Sequence, residues 1–99
     1  MRAVLHQDIV ALACCLLVLP ASEQGRAARR LVALTARADC YRTREGRVHP
    51  LYGNGTLSSC CQSVPKAAER RLDDPDYGAC LIRALEAVLA FRAGTAASG

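Results

Sequence analysis

The apolar residues of this chain fall into one dense run near its start and several amphipathic stripes behind it. The run Ile9-Val-Ala-Leu-Ala-Cys-Cys-Leu-Leu-Val-Leu19 contains no charge and follows Arg2 and His6. It is too short to cross a bilayer and has the length of the apolar core of a secretory leader. Pro20-Ala21-Ser22 supplies small residues for cleavage behind it. Residues 1–22 therefore predict a signal peptide and residues 23–99 one mature, extracellular domain. Asp8, a carboxylate just ahead of the apolar core, and Leu19, bulky two positions before Ala21, depart from the leader pattern. The alternative is a buried N-terminal helix of a cytosolic protein.

Behind the leader, Gly25 to Arg37 reads as a helix with Leu31, Val32, Leu34 and Thr35 on or near one face. Cys40 to Ser59 has no sustained period and carries Gly46, Pro50, Gly53, Asn54 and Gly55, so it reads as a loop. Ser63-Val-Pro-Lys66 opens the next predicted helix, with Ser63 as cap and Pro65 in the first turn. Val64, Ala68 and Leu72 recur along it at helical spacing, and Asp73-Asp74-Pro75 stops it. Asp74 to Gly78 reads as a turn. The last helix carries the stripe Leu81, Leu85, Val88 and Leu89, with Arg83 and Glu86 on another face. Gly94 ends it, and Thr95 to Gly99 is a fraying tail.

Composition narrows the fold class. The chain of 99 residues is 52% hydrophobic but only 4% aromatic and lacks Trp, so its core must be built from Ala, Leu and Val. That favours packed helices over strands. The expected fold is all-α: a small disulfide-stabilised bundle of about four helices, because so small a domain is short of buried apolar area. Of the six cysteines, Cys14 and Cys15 lie in the leader, leaving Cys40, Cys60, Cys61 and Cys80. Adjacent cysteines do not bond to each other without strain. Two pairings remain open: Cys40 with Cys60 and Cys61 with Cys80, or Cys40 with Cys61 and Cys60 with Cys80.

The Gly-rich, Tyr-containing stretch Leu51-Tyr-Gly-Asn-Gly-Thr-Leu-Ser-Ser-Cys60-Cys61 resembles the adjacent-cysteine region of plant non-specific lipid-transfer proteins, members of a superfamily with seed storage albumins and bifunctional inhibitors. Asp73-Asp-Pro-Asp-Tyr-Gly-Ala-Cys80, leading into an apolar helix, is similar to the Asp-Asp-Pro stretch of xylogen-like members; alternatively, Cys80 to Ser98 is similar to the helix after the Cys-x-Cys of type 1 members. That family has eight cysteines, and Gly78-Ala-Cys80 stands here where a Cys-x-Cys would be, which is the pattern of a degenerate or truncated member. The resemblance implies a helical bundle around an apolar tunnel that takes up fatty acids or phospholipids without catalysis, at roughly 0.8 kcal/mol per buried methylene. The tunnel walls would be Val64, Ala68, Leu72, Leu81, Leu85, Val88 and Leu89. The alternative is that these residues form a solid core, as amphipathic stripes usually do.

The remaining motifs add little chemistry. Asn54-Gly55-Thr56 is an N-glycosylation acceptor and a turn signal. Arg29-Arg30 and Arg70-Arg71 are dibasic pairs, which makes a processed secreted signalling peptide the alternative function; a truncated, non-functional family member is another. His49, the one histidine beyond the leader, precedes Pro50 in a loop with no nucleophile motif, so no enzyme activity, cofactor or catalytic residue is expected. Asp73, Asp74 and Asp76 lack the spacing of a calcium loop, and the cysteines lack that of a zinc site. The net charge of +4 is mild and does not interleave with the aromatics. It predicts affinity for an anionic membrane or cell-wall surface, a monomer, and no nucleic acid.

Overall fold

In the computed structural model, which describes residues 1–98 with side chains placed through Gly94, the order is α1 (His6–Leu17), α2 (Ala21–Glu45), α3 (Leu57–Cys61) and α4 (Pro75–Ser98). The fold is the expected all-helical bundle, and among the described residues the extended pairing is limited to a bridge between His49 and Gly53. Its radius of gyration of 13.2 Å is that of a packed domain of this length.

The apolar run read as a leader core forms α1, and α1 is the centre of the bundle. It packs against α4, α3 and α2. Leu12, Ala13, Cys14, Cys15 and Leu16 are all buried. A helix that is apolar on nearly every face has to be enclosed by the others. Asp8, the residue out of place in a leader, has a structural task here. Its carboxylate accepts from the Leu5 backbone N–H at 2.9 Å and, through the other oxygen, from the Ser58 N–H at 3.0 Å and the Ser58 hydroxyl at 2.7 Å. One buried anion thus caps the first turns of α1 and α3 together, where the helix dipoles favour negative charge.

α2 begins four residues earlier and ends eight residues later than the Gly25–Arg37 helix predicted from periodicity. Pro20 sits at its N-cap, and the chain between Gly25 and Gly46 contains no helix breaker. Gly46, at φ 73°, is the first residue able to take the left-handed conformation, and its N–H closes on the Arg42 carbonyl at 2.8 Å. The helix buries Ala28, Leu31, Val32, Thr35 and Ala38, and the Thr35 hydroxyl bonds back to the Leu31 carbonyl at 2.8 Å.

Only residues 46–56 of the expected long loop are loop. His49 organises its tip: Nδ1 accepts from the Leu51 and Tyr52 N–H groups at 3.0 and 3.1 Å, and the ring stacks on Tyr52. His49 is half-buried. Asn54 Oδ1 accepts from the Thr56 N–H and hydroxyl, and Thr56 in turn caps α3 through the Ser59 N–H at 3.2 Å. Gly55, at φ 97°, lies against Asp39 so closely that a Cβ would collide with that residue's backbone and side chain. Asp39 also holds the Met1 ammonium at 3.1 Å and Arg2 at 3.3 Å.

The helix predicted over Ser63–Leu72 does not form. Residues 65–71 run as an irregular strap across α1, joined to it by the Ala67 N–H to the Cys14 carbonyl at 3.0 Å. Val64 precedes a proline, which disfavours helical geometry, and Ala68 and Leu72 are too sparse an apolar face to hold a helix on the core. Asp74–Gly78 is a helix start rather than a turn. Asp74 Oδ1 caps the Tyr77 N–H at 2.9 Å and Pro75 occupies the first position of α4.

α4 buries Tyr77, Cys80, Ala84, Ala87 and Val88. The expected stripe is therefore rotated: Val88 is buried and Leu81 half-buried, while Leu85 and Leu89 are exposed. Mostly small residues face inward, so the α4 backbone approaches α1 and α2 closely. Gly94 does not end α4. The tail Thr95–Gly99 was expected to fray; its backbone continues α4 through Ser98, and Gly99 lies outside the described residues.

Candidate binding cleft

The first half of α2 presents Glu23, Arg26, Ala27, Arg30, Leu31 and Leu34 at spacings of three and four, so that they share one face. The end of α1, the loop at Leu51–Tyr52 and the Cys60–Pro65 segment stand opposite that face. Between them lies an open cleft of about 650 Å³. Its walls are Leu19, Leu31, Leu34, Leu51 and Val64, its floor is Cys15 and Cys60, and its mouth carries Glu23, Arg26 and Arg30. The volume is in the range of sites that hold a small organic molecule.

The cleft is apolar within and cationic at one edge. Neither Arg26 nor Arg30 makes an ion pair or hydrogen bond among the described residues. Arg83, by contrast, is held by Gln24 at 2.6 Å and Arg42 by the Asn54 carbonyl at 3.1 Å. The two cleft arginines are available to an anion.

Of the seven tunnel-wall residues, Val64 alone lines this cleft. Ala68, on the strap, and Leu72, just past its end, are exposed. Leu81, Leu85, Val88 and Leu89 belong to α4, outside the cleft lining, where Val88 is part of the solid core. Leu19, Leu31, Leu34 and Leu51 were not read as wall residues, although the spacing of Arg26, Arg30 and Leu34 on α2 carried the signal.

The cysteines are arranged differently from the expected framework. All six are free thiols, and neither expected pairing is present. Cys40 is exposed on α2, whereas Cys60, Cys61 and Cys80 are buried. Cys60 Sγ donates to the Leu31 carbonyl at 3.9 Å. Cys61 meets Cys15, a residue assigned to the leader: Cys15 Sγ donates to the Cys61 carbonyl oxygen at 4.0 Å. The neighbouring Cys61 side chain holds the Cys15 thiol below its ordinary range, and Cys15, with burial, pushes Cys61 up. Burial raises Cys14, Cys60 and Cys80. No group of three or more His, Cys, Asp or Glu among the described residues is placed to hold a metal ion. None of the described helices is long and apolar enough to cross a membrane.

Residues 2–88 match a family described as a domain of unknown function, DUF7742. No curated protein and no solved structure matches the chain.

Proposed function

The chain belongs to the DUF7742 family, and we propose that it binds an amphipathic anion, a fatty acid or the acyl chain of an anionic phospholipid, in the cleft between α1, α2 and the Leu51–Val64 region. The observation that carries this reading is the pair of unpartnered guanidiniums, Arg26 and Arg30, at the mouth of an otherwise apolar cavity. An acyl chain would displace water from Leu19, Leu31, Leu34 and Val64, each methylene contributing roughly 0.8 kcal/mol. Its carboxylate or phosphate would take charge-assisted hydrogen bonds from the arginines. Binding of this kind is reversible and involves no covalent chemistry.

The reading requires residues 1–22 to remain on the chain, because Cys15, Val18 and Leu19 form part of the cleft. One observation supports their retention: α1 supplies the middle of the hydrophobic core. Export with cleavage after Ser22 is the competing reading. The intact mass of the protein isolated from its native cell separates them, as retention predicts the full-length mass and export a chain starting near Glu23.

A fluorescent fatty acid titrated into the full-length chain tests the binding itself. Saturable binding at one site is expected, and an Arg26→Gln/Arg30→Gln variant should weaken it about tenfold or more. Leu72→Ala and Leu89→Ser, which alter exposed residues away from the cleft, should leave it unchanged. Absence of saturable binding to the folded chain overturns the proposal, as does equal affinity of the double arginine variant.

A further inference from the structure

Two adjacent cysteine pairs face each other inside the bundle: Cys14-Cys15 on α1 and Cys60-Cys61 on α3. Packing of the two helices joins one member of each. Cys15 Sγ donates to the Cys61 carbonyl oxygen at 4.0 Å, which sets the Cys15 thiol directly beside Cys61. A thiol seated against another cysteine on a packed neighbouring helix can be brought to that cysteine's sulfur by side-chain rotation. The other cysteines are engaged elsewhere. Cys60 donates to Leu31, Cys40 stands exposed on α2, and Cys14 lies on the side of α1 that faces α4 and Cys80.

We propose that Cys15 and Cys61 form a hydroperoxide-sensitive dithiol pair, with Cys15 as the attacking sulfur and Cys61 as the resolving one. Cys15 lies on the floor of the cleft, which gives a small peroxide a path to it. In the first step the Cys15 thiolate attacks one peroxide oxygen and the O–O bond breaks. Cys15 becomes a sulfenic acid, and hydroxide leaves and takes up a proton as water. In the second step the Cys61 sulfur attacks the sulfenic sulfur, the S–O bond breaks, and the Cys61 proton leaves with the oxygen as a second water. Two thiols are oxidised and one hydroperoxide is reduced.

The cleft sets the order of attack, because Cys15 is part of its lining and Cys61 is not. The Lys66 ammonium, which donates to the Cys61 carbonyl oxygen at 3.4 Å, favours negative charge at both thiols. The closed disulfide would tie α1 to α3 across the same contact that Asp8 caps. This inference stands independently of lipid binding, since it uses the thiol contact and not the arginines.

The test treats the reduced full-length chain with one equivalent of hydrogen peroxide, blocks remaining thiols with iodoacetamide, and digests with trypsin. Cys14 and Cys15 fall in the peptide 3–26 and Cys60 and Cys61 in the peptide 48–66, so a cross-link joins these two peptides. Fragmentation between the adjacent cysteines then assigns the sulfurs. The expected result is a Cys15–Cys61 link as the first product, lost in Cys15→Ser and kept in Cys14→Ser and Cys40→Ser. If Cys15→Ser fails to fold by circular dichroism, the wild-type fragmentation pattern decides alone. A first product joining other cysteines, an intermolecular Cys40 dimer, or over-oxidation without a cross-link overturns the proposal.

Discussion

The α1–α3 layer and the strap of residues 65–71 touch each other, yet they are held by different forces. In the layer, an apolar helix buried from Leu12 to Leu16 meets a short helix whose Leu57, Cys60 and Cys61 are also buried, and the Asp8 carboxylate satisfies donors of both. The strap has one backbone bond to α1 and surface ion pairs, Arg71 with Asp73 at 2.8 Å and Arg70 with Asp74 at 3.5 Å. Exposed ion pairs of this kind contribute little. The difference teaches that buried apolar contact and shared capping concentrate in α1 and α3, while the strap lies on the surface.

Substitutions should sort along that divide when denaturant midpoints are compared at constant slope. Leu16→Ala, at a fully buried α1 position, should destabilise by roughly 3 kcal/mol or more, since it leaves a cavity at the centre of the bundle. Asp8→Ala follows at roughly 2–3 kcal/mol, because it leaves the Ser58 hydroxyl and two helix-start N–H groups without their acceptor. Gly55→Ala, strained at φ 97° and crowded by Asp39, should cost about 1–2 kcal/mol. Leu72→Ala should stay within about 0.5 kcal/mol, because its side chain already stands in water. A large loss at Leu72 with none at Leu16 would reverse the comparison.

Acid titration sharpens the boundary between strap and α4. The Tyr77 backbone N–H, with help from Arg70, holds the Asp74 carboxyl below its ordinary value of 3.8. A depressed folded-state pKa stabilises the fold above the ordinary value, and that contribution is lost as pH falls through the lower folded value. Asp74→Asn keeps a capping oxygen but cannot ionise. The stability difference between wild type and Asp74→Asn should therefore be constant near neutral pH and shrink below about pH 4. A difference that does not change across this range contradicts the assignment.

Much of the architecture was legible. The helical class followed from an Ala- and Leu-rich, aromatic-poor composition, and the last helix from its period. The misreadings have physical causes. An apolar run of leader length and a core helix have the same hydropathy, and the partner that gives Asp8 its structural task lies fifty residues away. On α4, leucines outweigh alanines in any hydrophobic stripe, but packing selected the smaller residues and turned Leu85 and Leu89 outward. The cleft was hidden because it joins α2 to segments distant in sequence, and the Cys15–Cys61 contact because it spans the expected cleavage site.

Native-state hydrogen exchange of the full-length chain measures the central claim directly, since amides of a core helix open only with global unfolding whereas those of a loosely attached segment exchange locally. The account predicts that the Leu12–Leu16 amides of α1 exchange with the free energy of global unfolding, alongside Ala84–Val88 of α4. Amides of residues 68–71 in the strap should exchange far faster. Rapid exchange at Leu12–Leu16 in a chain whose α4 stays protected would contradict the placement of this helix at the centre of the fold.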